Sequence, residues 1–248
     1  MAALSVIVPT LNAATRLPGC AAALMEGVQQ GLIRDLVVSD GGSADATVEV
    51  AEELGATIVD GPASRGAQVA RGVAAGRGDW LLIVHADTQL APGWTDAVAR
   101  HMRDAPDRAG FFDLGFDRGG AAARAVAAWA NLRARRLGLP FGDQGLLIRR
   151  AVLAASGGYP DLPLMEDVAL AHALRGRLSP LGHRAVTSAD RYLAEGWVRR
   201  GARNLSLQLR FMAGTDPERL AAAYARRRCP RQRAAPHRPP ARNPRGRD

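Results

Sequence analysis

The strongest constraint on the fold is an alternation in the first half of the chain. Short apolar runs at 4–8 (LSVIV), 33–39 (IRDLVVS), 56–60 (ATIVD), 79–86 (DWLLIVHA) and 110–116 (GFFDLGF) are separated by helix-like stretches at roughly 18–30, 44–54, 64–76 and 92–104. Runs of this length, rich in branched residues and bounded by turn formers, read as strands, and the stretches between them are long enough for crossover helices. A repeated β-α-β order with right-handed crossovers predicts an α/β fold: a Rossmann-like, mainly parallel sheet flanked by helices. In such sheets ligands bind beyond the carboxyl ends of the strands, so the residues that follow each run are the ones to inspect.

The second half changes character. AAARAVAAWANLRARRLGL (121–139) reads as a helix with a broad apolar face, FGDQGLLIRR (141–150) as a turn into a strand, and 150–156 as a short helix. A Gly/Pro-rich loop then leads into a helix at about 166–176, a strand near 183–188, and two C-terminal helices at about 191–212 and 216–227. No repeat or linker divides residues 1–225, which are expected to form one domain. At 248 residues and 47% hydrophobic composition, the chain is large enough for a full core.

The net charge of +9 is a property of the end of the chain: residues 226–248 (RRRCPRQRAAPHRPPARNPRGRD) hold nine Arg against one Asp. With almost nothing to bury, this Arg/Pro-rich segment is expected to be a disordered tail, either solvated or in electrostatic contact with a membrane or nucleic acid. The chain contains no Lys, so a coding bias explains the basicity as readily as a selected surface. Specific nucleic-acid binding is not expected. Two cysteines, Cys20 and Cys229, make neither a disulfide framework nor a cysteine metal site. No run approaches a membrane span and the first residues lack a signal-peptide pattern, so a cytoplasmic, unexported protein is expected.

Three strand ends carry polar groups. The first ends in PTLN (9–12), where Pro9 cannot extend a central ladder and Thr10 and Asn12 offer side-chain hydrogen bonds, either to a turn or to a ligand. The second delivers Asp40, then Gly41 and Gly42, Ser43 and Asp45, which read equally as turn chemistry or as a binding loop. The fourth ends in VHADT, and a buried strand finishing in His85-Ala86-Asp87 is costly unless those groups are hydrogen-bonded or bind something.

Taken together, VIVPTLN, VSDGGSADAT, GDWLLIVHADT and LMEDVALAHALRGR resemble the family 2 glycosyltransferases of the GT-A fold over about residues 4–225. The blocks SRGAQVARGVAAGRGDW, FGDQGLLIRR, VTSADRY and DPERLAAAY further resemble a bacterial subgroup associated with arsenosugar biosynthesis. The resemblance implies that Pro9, Thr10, Asn12, Asp40 and Gly41 contribute to a nucleotide-sugar pocket, with the Asp40 carboxylate accepting from the base or ribose, and that Arg65 approaches the donor's phosphates. It places Asp87 at the final carboxylate of an Asp-x-Asp metal motif whose first position is here His85, leaving those two as candidate ligands of a divalent cation, Mn2+ or Mg2+. Where the family often has an acidic residue after the first-strand Asn, this chain has Ala13.

Sugar transfer needs a base for the acceptor hydroxyl, and the resemblance places it at Asp167, next to Glu166; consecutive helical residues do not share a face, so only one is expected to reach the acceptor. Asp143 and Gln144 are expected across the pocket, orienting the donor sugar or the acceptor, with an ion pair to Arg as the alternative for Asp143. Trp94, Trp129 and Trp197 read as ring-stacking or core residues, and the helix 121–139 and segment 197–210 as membrane-resting or sheet-covering. The function implied is inverting, metal-assisted transfer from a nucleotide-diphosphate sugar, uridine-linked, to a small-molecule or lipid-linked acceptor, with peripheral contact at the inner face of the membrane as one option. The alternative is a catalytically silent domain that binds nucleotide sugars.

Overall fold

The computed structural model describes residues 3–226; the Arg/Pro-rich tail expected to be disordered lies outside the described residues. The elements run β1 (Leu4–Thr10), α1 (Leu17–Gln29), β2 (Ile33–Asp40), α2 (Thr47–Glu53), β3 (Thr57–Asp60), α3 (Arg65–Ala75), β4 (Trp80–Ile83), β5 (Thr88–Leu90) and α4 (Trp94–Asp104). They continue with β6 (Ala109–Phe116), α5 (Gly120–Leu137), a 3-10 turn at Gly142–Gln144, β7 (Leu146–Arg149), α6 (Arg150–Ala155), α7 (Glu166–Ala173), β8 (Leu178–Thr187), α8 (Asp190–Glu195), α9 (Trp197–Met212) and α10 (Pro217–Arg226).

The strands form one eight-stranded sheet in the order β3-β2-β1-β4-β7-β6-β8-β5. Pairings β2–β3, β1–β2, β1–β4 and β6–β8 are parallel, whereas β7 runs antiparallel to β4 and β6, and β5 antiparallel to β8. The fold is therefore α/β with a mostly parallel sheet flanked by helices, as the alternation implied.

Period-two patterning fixes the layers. Leu4, Val6 and Val8 of β1 enter a core with Leu17 and Leu24 of α1 and Trp94 and Val98 of α4, while Ile7 faces the opposite side with Val37, Ile83 and Val69 of α3. Trp94 is fully buried and its Nε1–H donates to the Ala23 carbonyl, so it is a core residue. Trp129 is exposed on α5, and Trp197 stacks on Tyr192 and meets Phe116 edge-on at ring-centroid distances of 4.8 and 5.1 Å.

Several boundaries differ from expectation. Pro9 lies inside β1, paired with Ser39. It is tolerated because the carbonyl of Ile7, two residues earlier and so on the same side, takes the last bond toward β4, from Val84, and no ladder remains there for Pro9 to break. The run 79–86 forms a strand only through Ile83; the chain then turns, carrying His85 and Asp87 off the sheet edge before the three-residue β5. The strand expected at 183–188 begins at Leu178, and the helix expected at 191–212 breaks at Gly196, whose φ of 88° suits glycine.

Candidate active site

Beyond the carboxyl ends of β1 and β2, two loops are stitched together by short polar side chains. The Asp40 carboxylate accepts from Thr10 Oγ1 at 2.9 Å and Ser43 Oγ at 2.6 Å through Oδ1, and from the Gly42 and Ser43 N–H groups at 2.9 and 2.7 Å through Oδ2. All four acceptor positions of Asp40 are thus occupied within the chain. Burial works against its charge, but the Ser43, Thr10 and Gly42 bonds outweigh it and hold its pKa below the ordinary carboxylate range. A base or ribose contact from Asp40 therefore requires one of the two hydroxyls to turn away.

Asn12, at a left-handed φ of 53°, accepts from Ala44 N–H through Oδ1 and donates its backbone N–H to Ser43 Oγ, so its side chain acts as a clip between loops in this structure. Gly41 packs against Gln68, which donates to the Thr10 carbonyl at 2.7 Å and the Ser39 carbonyl at 3.1 Å.

A pocket beyond the end of β4 is lined by Arg65, His85, Asp87, Asp143, Asp167 and Arg191 among others. The β4–β5 turn delivers both His85 and Asp87, and separate segments deliver the others. Arg65 begins α3, where Gly66 touches the 160–162 loop so closely that a Cβ would lie 2.1 Å from the Pro160 carbonyl oxygen. Burial alone would lower its pKa, but Glu166, Tyr224, Asp167 and Asp87 more than compensate and keep Arg65 firmly charged.

Gly142 is held between His85 and Asp167: its N–H donates to Asp167 Oδ2 at 2.9 Å, and a Cβ there would lie 2.6 Å from His85 Nε2. The other Asp167 oxygen accepts from Val168 N–H at 2.8 Å, so the carboxylate is oriented at the first turn of α7. Met165, immediately before the Glu166-Asp167 pair, has a φ of 66°, a strained backbone for a side chain of its size and one that sets the entry angle of α7.

Pro9, Thr10, Asn12, Asp40 and Gly41, expected in a nucleotide-sugar pocket, stand apart from the wall of this one, and Glu166 and Gln144 also depart from the places expected for them. Glu166 is buried, does not line the pocket, and leaves Oε2 without a partner among the described residues; burial, then the Asp167 charge, pushes its pKa up to about 7 against the pull of Arg65. The turn into α7 points it behind Asp167 rather than beside it. Gln144 is fully buried and spent on packing: its Nε2 donates to the Phe112 carbonyl at 3.0 Å and its Oε1 accepts from Phe141 N–H at 3.2 Å, so it faces the sheet instead of the pocket.

Asp143 does face the pocket, with a buried Oδ1 that has no partner among the described residues. Burial, opposed by Arg133, raises its pKa to about 6, with Asp167 and Asp87 adding to the rise. No Asp143–Arg ion pair forms among the described residues; Arg133 instead lies 3.4 Å from the Phe141 ring centroid. Burial lowers the His85 pKa, against the pull of Asp87, and keeps its imidazole neutral.

The C-terminal helices add Arg191, Tyr192, Arg200, Asn204, Leu207 and Tyr224 to the pocket wall, none of which sequence reasoning singled out. Burial would raise the Tyr224 hydroxyl's pKa, but Arg65, Arg200 and Arg191 bring it down to about 8, a measure of how much positive charge converges there. Arg191, Tyr192 and Tyr224 fall in the blocks VTSADRY and DPERLAAAY that carry the resemblance, and Arg200 in an Arg-rich segment that reads equally as a solvated face.

A mostly parallel sheet with a charged pocket beyond its strand ends is the architecture of a nucleotide-handling α/β enzyme. The chain belongs to glycosyl transferase family 2, whose sequence model matches residues 5–146. Among solved structures, the fold is similar to TarS 1–349 from S. aureus, with a TM-score of 0.61 at 15% identity over 84% of this chain and 65% of that one. It is also similar to glucosyl-3-phosphoglycerate synthase from Mycobacterium tuberculosis crystallised with Mn2+, UDP-glucose and phosphoglyceric acid, with a TM-score of 0.57 at 21% identity over 86% and 80% of the two chains. A TPR repeat-containing protein of Synechococcus elongatus is 32% identical over 114 residues, 45% of this chain; the match spans only 27% of that relative's length.

Proposed function

We propose that the chain transfers a sugar from a nucleotide-diphosphate sugar, with uridine as the base, to an acceptor hydroxyl with inversion at the anomeric carbon. The observation that carries this reading is the pocket itself: Asp167, oriented by two backbone N–H groups, shares it with Arg65, Arg191, His85 and Asp87. Pro9, Thr10, Asp40 and Gly41 belong to the nucleotide side, where the saturated Asp40 holds the shape of the loop.

Asp167 takes the proton of the acceptor hydroxyl as its oxygen attacks the anomeric carbon and the bond to the diphosphate breaks. Negative charge then grows on the departing diphosphate, and Arg65 and Arg191 receive it. Glu166, buried and off the pocket wall, does not reach the acceptor and is not the base.

His85 and Asp87 fit a divalent cation that keeps several positions for phosphate oxygens and water: a neutral imidazole and a carboxylate line one pocket, and no cluster of three or more protein donors exists among the described residues. Mn2+ or Mg2+ held there would supply charge neutralisation at the diphosphate. The acceptor is a small molecule or lipid-linked, and the subgroup resemblance keeps an arsenosugar pathway as the narrower assignment, at a cytoplasmic location.

Asp167→Asn tests the reading. Donor binding, followed as a nucleotide-induced rise in melting temperature with Mn2+ present, is expected to survive, while transfer falls by about a hundredfold or more. Undiminished transfer would move the base elsewhere, and a protein that binds the donor without ever consuming it is the silent alternative.

A further inference from the structure

Helix α9 is amphipathic in an unusual sense. Its inward face is mixed: Arg200, Asn204 and Gln208 turn toward the body of the protein beside Leu207 and Phe211, which pack with Leu164 and Leu220, and Arg200, Asn204 and Leu207 line the pocket. Val198, Ala202, Leu205, Leu209 and Met212, spaced along one stripe of the helix, are exposed; Val198 is 86% and Leu209 56% accessible. Neighbouring α5 likewise exposes Trp129, Leu132 and Leu137, and Trp197 at the start of α9 packs against Gly119 at the start of α5. Singly exposed apolar residues are ordinary, but a continuous stripe on one helix beside three more on its neighbour is a docking surface.

The charge around it names the occupant. Neither α5 (GAAARAVAAWANLRARRL) nor α9 (WVRRGARNLSLQLRFM) contains an acidic residue. The exposed Arg124, Arg136, Arg199 and Arg210 make no ion pair among the described residues, while the acids of adjacent α8 are already paired, Asp190 with Arg16 and Arg118, and Glu195 with Arg200 and Arg203. A second copy of this face would set arginine against arginine across a two-fold axis. The tail at 227–248 carries eight Arg against one Asp and has almost no apolar side chains to cover it.

We infer that the exposed face of α9, together with α5, docks onto an anionic lipid bilayer: the apolar stripe enters the headgroup boundary and the arginines meet lipid phosphates. Because the opposite face of α9 lines the pocket, docking brings the acceptor side of the pocket to the membrane surface. This goes beyond the transfer reaction, and its test uses no sugar donor, so the two stand or fall separately.

The experiment is flotation of the full chain with phosphatidylcholine vesicles, with and without a minority of phosphatidylglycerol, at physiological salt. Co-flotation with the phosphatidylglycerol vesicles is expected, reduced at least about tenfold by Leu205→Ser combined with Leu209→Ser, with the melting temperature unchanged. Val198→Ser, at the most exposed position, is the second variant should the double one fold poorly, and a weaker loss is expected from it. Equal flotation of variants and wild type would assign the binding to the Arg-rich tail alone and overturn the inference. So would absence of flotation, or a wild-type dimer that the substitutions convert to monomer without changing lipid binding.

Discussion

The β1–β2 loops and the pocket around α7 treat their polar groups in opposite ways. On the β1–β2 side, Asp40, Asn12, Asp45 and Thr47 spend their side chains on the backbone of the two loops, and the Asp40 carboxylate has no acceptor position left. Among the described residues, Ser39 Oγ and Arg71 Nε lack a partner at this end of the strands, and the unpartnered carboxylate oxygen of β2, Asp35 Oδ1, lies at the strand's other end. On the α7 side, Asp143 and Glu166 each leave a buried oxygen without a partner, as Arg133, Arg200 and Arg203 leave nitrogens, and both carboxyls titrate closer to neutrality. One side has the chemistry of a fixed mould; the other keeps groups whose protonation can change, as acid–base chemistry requires.

This contrast predicts opposite responses to substitution and pH. Asp40→Ala removes four hydrogen bonds and strands two backbone N–H groups, so a loss of about 3 kcal/mol of stability is expected in urea unfolding, with weakened nucleotide affinity. Because the folded pKa of Asp40 is depressed, its contribution is present above the ordinary carboxylate pKa and fades as pH falls through the folded value, so the penalty shrinks in acid.

Glu166→Gln works the other way. Folded Glu166, with a pKa of about 7 against an ordinary 4.5, keeps a proton that the unfolded chain releases, so wild-type stability declines as pH rises across that window. The Gln variant lacks this decline and should be more stable than wild type at pH 8 by about 3 kcal/mol, with the gap closing toward pH 4.5. Destabilisation of Glu166→Gln at pH 8 as large as that of Asp40→Ala would erase the distinction between the two sides.

Asp87→Ala sharpens it further. Mn2+-dependent nucleotide affinity, measured by calorimetry, is expected to fall by roughly tenfold, while binding without metal changes little. An unchanged Mn2+ dependence would remove Asp87 from the metal site.

The first half of the fold was legible because each strand is bounded by turn formers and each crossover is long enough to be helical. What escaped were features defined by distant partners. β5 is three residues whose strand identity comes from Thr187, Val186 and Ala185, and the antiparallel direction of β7 leaves no local trace. At the site, Asp87, His85, Asp143, Asp167 and Arg65 were visible as polar residues at strand or helix ends, and all line the pocket. Glu166 and Gln144 share those motifs but face inward, a distinction made by the strained backbone at Met165 and by the amide's bonds to Phe112 and Phe141. Arg191 and Tyr224 arrive from helices whose placement no local pattern encodes.

The sheet order also bears on how the chain is made. β4, WLLI, is buried between β1 and β7, but β7 spans residues 146–149, and β5 waits for residues 185–187. At ribosomal rates of about 5–20 residues per second, the nascent chain carries an uncharged, unpaired edge strand for several seconds. Chains terminated between residues 90 and 145 would keep that edge permanently, so it is the arrival of the second half that covers β4.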